Sequence, residues 1–88
     1  MKILTHPTFD KHFAKRILPS QKLTLLFQTR LELFIKDPKN QMLHAHRLKG
    51  TKKDVFSFSV TGDIRTLYIV SKPDSITLLD IGSHNQVY

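Results

Sequence analysis

The chain has 88 residues, no cysteine and a formal net charge of +7. That length closes only one modest core, so a single domain over residues 1–88 is expected, and without cysteine neither disulfides nor thiolate metal sites can staple it. The opening Met1-Lys2-Ile3-Leu4-Thr5-His6-Pro7 is too polar for a secretory signal, and the longest apolar run, Leu67 to Val70, falls far short of the ~20 residues of a membrane span; a soluble, cytoplasmic protein with no membrane partner is the expectation.

The first predicted element is a short strand, Lys2-Ile3-Leu4-Thr5. Pro7 suits the first turn of a helix, where a missing N–H costs nothing. Phe9, Phe13 and Ile17 then recur at helical spacing, with Lys11, Lys15 and Arg16 mostly off that stripe. His6 and His12 read as surface residues of this helix. Pro19-Ser20 breaks the pattern, and a second helix runs from about Ser20 to Ile35 on an apolar face of Leu23, Leu26, Phe27, Leu31 and Phe34. Asp37-Pro38-Lys39-Asn40 ends it.

The remainder reads as strands. Residues 55–60 alternate, with Phe56, Phe58 and Val60 on one face and Ser57 and Ser59 on the other. Thr61-Gly62-Asp63 is a hairpin turn. Ile64 to Ser71 is rich in β-branched and aromatic residues, Lys72-Pro73-Asp74 turns, and Ser75 to Ile81 is a further strand. The predicted fold is therefore α+β. A short N-terminal strand and two helices precede a three- to four-stranded antiparallel sheet, and the helices pack on one of its faces. The other face is left for binding.

The charge is uneven. Residues 1–35 carry six basic and two acidic groups, residues 36–53 carry six and one, and residues 54–88 carry two and four. A basic surface of this kind favours phosphate backbones, acidic proteins or anionic lipid. Three glycines leave no phosphate-cradling loop, and there is no Gly-x-Ser-x-Gly elbow. His44-x-His46 on a strand would put two imidazoles on one face, but a metal site needs a third ligand, and none is evident.

What remains is a polar set in the C-terminal half: His44, His46, Lys49, Lys52, Lys53, Ser57, Ser59, Asp63, Arg65, His84 and Tyr88. It contains no strong nucleophile. RNA cleavage fits such a set, because RNA supplies its own 2′-OH nucleophile. The protein has only to move two protons and stabilise charge on phosphorus. Taken singly, Asp63 is an ordinary turn former. Arg65 could pair with Asp63 or Asp80, and strand parity places it with Leu67 and Ile69 on a buried face. Asn85-Gln86-Val87-Tyr88 ends on an apolar residue and an aromatic, which suggests a docked tail.

Leu48-Lys49-Gly50, Phe56-Ser57-Phe58-Ser59-Val60, Gly62-Asp63-Ile64-Arg65-Thr66-Leu67-Tyr68, Leu79-Asp80-Ile81-Gly82-Ser83-His84 and Val87-Tyr88 together resemble the RelE/ParE superfamily, the toxins of bacterial type II toxin–antitoxin systems. The YafQ-like mRNA interferases are the most similar branch. The resemblance implies a ribosome-dependent mRNA endoribonuclease that needs no metal or cofactor. Its partners would be mRNA, the ribosome and a cognate antitoxin. It implies His84 as general acid and either Asp63 or His46 as general base. Arg65 would contact the scissile phosphate, and Tyr88 would place the substrate. Lys49, Lys52, Lys53, Lys11, Lys15 and Arg16 would hold ribosomal RNA electrostatically. Ser59 stands where YafQ-like members have a histidine, Ser57 and Ser59 where RelE-like members have lysines, and Ile64 where a tryptophan is common. A ParE-like inhibitor of gyrase and a non-catalytic RNA-binding domain are the alternative expectations.

Overall fold

The computed structural model describes residues 1–48, 50, 54–71 and 73–88. Strand β1 (Lys2–Thr5) leads into helix α1 (Pro7–Arg16) and helix α2 (Gln21–Lys36). A single 3-10 turn, Gln41–Leu43, precedes β2 (His46–Arg47), β3 (Val55–Ser59), β4 (Ile64–Ser71), β5 (Ser75–Ser83) and a closing helical turn, α3 (His84–Val87).

Local chemistry sets the helix ends. His6 caps α1, its Nδ1 accepting from the Thr8 N–H, and Pro7 fills the first helical position. Ser20 caps α2 through Oγ, accepting from Leu23 N–H, so this helix begins one residue after the predicted start. Lys15 and Arg16 lie in the last turn of α1, where the helix dipole favours positive charge. No helix among the described residues is long and apolar enough to cross a membrane.

The sheet order is β1-β5-β4-β3-β2. The four strands β2 to β5 form the expected antiparallel meander. Strand β1 adds a fifth position by pairing parallel to β5, with Ile3 opposite Ile76. Parallel pairing needs a long crossover, and here α1, α2 and three strands intervene. Opposite β4, the register steps from Leu67–Asp80 to Tyr68–Leu78, so Leu79 is an extra residue in β5. This bulge explains how Leu78 and Ile81 both enter the core, although residues three apart on a regular strand face opposite ways.

The helices pack on one sheet face through aromatic rings. Phe34 of α2 stacks on Phe58 at 4.8 Å and meets Tyr68 edge-on at 4.8 Å. Phe9 and Phe13 of α1 close on Phe27 of α2 at 5.9 and 5.0 Å. Ile17, Leu43, Val60 and Ile81 complete this core. The opposite face of β3 and β4 carries Ser57, Ser59, Arg65 and Leu67 in register. That face holds the candidate site.

Candidate active site

Ser57 is fully buried although it points away from the helices. Its Oγ accepts from Arg65 Nε at 2.9 Å and lies 2.9 Å from the Tyr88 hydroxyl. Strand pairing makes the first contact, because Ser59–Arg65 and Ser57–Leu67 are cross-strand neighbours and the arginine stem spans the gap. The second comes from the chain end. After Ser83 the backbone turns into α3, and Tyr88 returns over β3. Arg65 thus lies on the Leu67 side of β4, as parity implies, yet it is half-buried with its guanidinium directed along the sheet rather than into a core. It pairs with neither Asp63 nor Asp80.

His44 anchors the far end of Arg65. It caps the 3-10 turn in the left-handed region, φ 47°, an uncommon state for a residue with a Cβ. Its carbonyl takes a bond from Arg65 Nη2 at 2.8 Å and one from His46 Nδ1 at 2.9 Å. A carbonyl only accepts, so Nδ1 of His46 carries the proton and Nε2 holds the basic lone pair. Arg65 Nη2 lies 3.5 Å from His46 Nδ1. The loop is tied down from behind by Arg30 of α2, which donates to the Met42 carbonyl.

At the other end, His84 and Tyr88 are one helical turn apart, and their rings meet edge to face at 4.3 Å and 89°. Gln86 Oε1 accepts from the Ser83 N–H at 2.8 Å, half of a capping box that the Ser83-x-x-Gln86 spacing spells out in the sequence. Arg16 of α1 donates to the Ile81 carbonyl at 2.9 Å, just ahead of this turn. Gly82 leaves room for both: a Cβ there would lie 2.7 Å from Arg16 Nη1 and 2.7 Å from Gln86 Oε1.

His46 and Arg65 meet at the His44 carbonyl, and from Arg65 the contacts run through Ser57 and Tyr88 to His84. Four of the five candidate catalytic side chains are brought together, through a serine that the sequence marks only as a departure. Asp63 is not among them. It is exposed in the β3–β4 turn, where Thr61 Oγ1 holds its backbone N–H. It borders a different groove, with Lys15, Arg16, Ser83 and Gln86. Among the described residues no hydrogen bond or ion pair joins Asp63 to His46, Arg65 or His84.

The basic candidates also separate. Lys11 and Lys15 are exposed on α1. Arg16 is largely withdrawn from solvent, being bonded to Ile81 and 3.6 Å from Asp80. Lys49, Lys52 and Lys53 lie outside the described residues. His12 is no free surface residue: it bonds Asp80 at 2.6 Å, part-buried between α1 and β5. Among the described residues no three potential ligands converge on a metal position, and the His46 nitrogen nearest His44 is already spent on a carbonyl.

No protein-family model and no curated protein sequence matches the chain. Solved structures do. A copper-bound point mutant of a toxin from Helicobacter pylori is 30% identical, over 100% of this chain and 99% of that one, with a TM-score of 0.78. The chain belongs to the same family as this Helicobacter pylori toxin. Two more distant structures share the fold of this toxin family. One is YafQ from Escherichia coli in complex with DinJ, with 17% identity, 99% and 97% coverage and a TM-score of 0.80. The other is a YoeB/ParE toxin from Agrobacterium tumefaciens, with 15% identity, 96% and 99% coverage and a TM-score of 0.80.

Proposed function

We propose that this toxin is an endoribonuclease acting on mRNA at the ribosome, and that His46, Arg65, Tyr88 and His84 carry the reaction. The observation behind this reading is the pair of bonds at Ser57, which ties the phosphate-binding candidate Arg65 to Tyr88, with a histidine beyond each. In the proposed step, His46 Nε2 removes the proton of a 2′-OH, and the 2′-oxygen attacks the adjacent phosphorus. The bond to the 5′-oxygen breaks, and His84 returns a proton to that leaving oxygen. The products are a 2′,3′-cyclic phosphate and a 5′-OH end. Proton transfer by a placed side chain contributes roughly 10²- to 10⁴-fold per group.

Arg65 is suited to the charge that develops on phosphorus. Of the five N–H donors of a guanidinium, two are engaged among the described residues, one by Ser57 and one by His44, and the other three can serve phosphate oxygens. Those two bonds also orient the fork before substrate arrives, which is where electrostatic stabilisation gains its strength. Tyr88 is 44% exposed with its hydroxyl pinned, so its ring can flank a base or sugar without swinging. The position of Asp63 away from the other four favours His46 as the base. Exposed Lys11 and Lys15, with Lys49, Lys52 and Lys53, supply the cationic surface for ribosomal RNA. The Escherichia coli relative was solved bound to DinJ, in a toxin–antitoxin complex; a cognate antitoxin is proposed here too.

Primer extension on translated mRNA tests this reading. Cleavage within codons is expected with wild type and is lost in His84→Ala and His46→Ala. Growth arrest with intact mRNA and poisoned gyrase would overturn it.

A further inference from the structure

A cavity of about 450 Å³ opens beneath the His44–His46 loop, on the helix side of the sheet edge. Its floor is apolar: Phe56 and Tyr68, stacked at 5.6 Å and 21°. Lys39, Gln41, His44 and His46 border it. Volumes of roughly 300–1,000 Å³, with apolar walls and a few convergent polar groups, are typical of small-ligand sites.

Tyr68 is the informative residue. Only 5% of it is exposed, and no hydrogen bond engages its hydroxyl among the described residues. That oxygen is not sealed from water, since Thr66 Oγ1 is the one fully buried side-chain oxygen without a partner among the described residues, so the Tyr68 hydroxyl is a donor that solvent or a ligand can reach. Burial holds the pKa of this hydroxyl above the ordinary tyrosine value, so it keeps its proton and remains a donor at neutral pH. At the rim, no hydrogen bond engages the Gln41 amide or the His44 ring among the described residues. The cavity therefore offers an aromatic surface, a protonated tyrosine hydroxyl, polar side chains at the mouth and a lysine charge outside.

We infer that this cavity is a nucleobase subsite, taking a base of the RNA strand next to the cleaved phosphate. A flat heteroaromatic ring matches the Phe56–Tyr68 wall, and its edge acceptors match the tyrosine hydroxyl and the Gln41 amide. Lys39 suits a neighbouring phosphate. His46 makes the two sites continuous, because its ring borders this cavity while its Nδ1 shares a carbonyl with Arg65. The inference rests on the nuclease reading for the source of the base, but its test does not require cleavage.

Isotope-labelled full-length protein is titrated with each of the four nucleoside 5′-monophosphates, and with ribose 5-phosphate. The expected result is movement of Phe56, Tyr68 and Gln41 resonances by nucleotides, at the lowest concentration for one base, and no such movement by ribose 5-phosphate. Tyr68→Phe should weaken binding about fivefold, the loss of one neutral hydrogen bond. Gln41→Ala, at an exposed position, should weaken it comparably without a folding effect. Resonances that stay fixed with every nucleotide overturn the subsite, even if the protein cuts RNA. Equal shifts by ribose 5-phosphate overturn it as well. Base binding in a protein that cuts no RNA would sustain the subsite and refute the enzyme reading instead.

Discussion

The Ser57 Oγ and the Tyr88 hydroxyl meet at 2.9 Å across 31 residues of sequence. The same Oγ accepts from Arg65 Nε. One small side chain therefore orients both the tail aromatic and the guanidinium. Ser57→Ala should keep the fold, since it removes one oxygen from a sheet position. It should release both partners and lower the single-turnover cleavage rate by about 10- to 100-fold, as loss of positioning does. A rate within twofold of wild type, with the thermal midpoint unchanged, would show that the serine positions neither.

His44 contributes its carbonyl to Arg65 and His46, at the cost of a left-handed backbone. Asparagine tolerates that conformation better than other side chains with a Cβ. His44→Asn should match or exceed wild-type stability by up to about 1 kcal/mol, and it should retain cleavage. His46→Ala, two residues on, should abolish cleavage. Loss of activity in a folded His44→Asn variant would assign a role to the His44 ring.

Gly82→Ala probes the link between α1 and the closing turn. The new Cβ must displace Arg16 and Gln86. The two nearest atoms are flexible tips, but Gln86 Cβ at 3.1 Å must also give way, so the stability loss should be about 1–2 kcal/mol. The Arg16–Ile81 and Gln86–Ser83 bonds would break, and with them the placement of His84 and Tyr88. Cleavage should fall more than stability does, and the His84–Tyr88 ring contact should weaken in nuclear Overhauser spectra.

Thr66 is buried on β4 with its Oγ1 unpartnered among the described residues. Thr66→Val keeps the shape and removes the unmet hydroxyl. It should raise stability by roughly 1–2 kcal/mol in urea unfolding. A destabilised variant would mean that the hydroxyl has a partner in solution.

Tyr68 sets an alkaline limit. Burial raises its folded-state pKa above the unfolded value. Above about pH 10 the unfolded chain loses this proton first, so the folded state binds more protons and stability falls as pH rises. Below that pH both states are protonated and the term vanishes. Tyr68→Phe should flatten the alkaline arm of the stability curve and leave the neutral region nearly unchanged.

Local periodicity made much of this protein legible. The four-residue spacing of Phe9, Phe13 and Ile17 predicts the buried stripe of α1. The alternation of Phe56 and Phe58 with Ser57 and Ser59 predicts which face of β3 meets the helices. Those readings hold because 3.6- and 2-residue repeats are properties of the local backbone. The parallel pairing of β1 with β5, the extra residue at Leu79 and the direction of the Arg65 fork are not local, and neither is the separation of Asp63 from the other site residues. Each depends on which distant segments share a buried face. Ser57 shows the difference most clearly. The sequence by itself determined that it stands on the face away from the helices. Only the tertiary structure, by returning the chain end across β3, decided that this serine would join Arg65 to Tyr88.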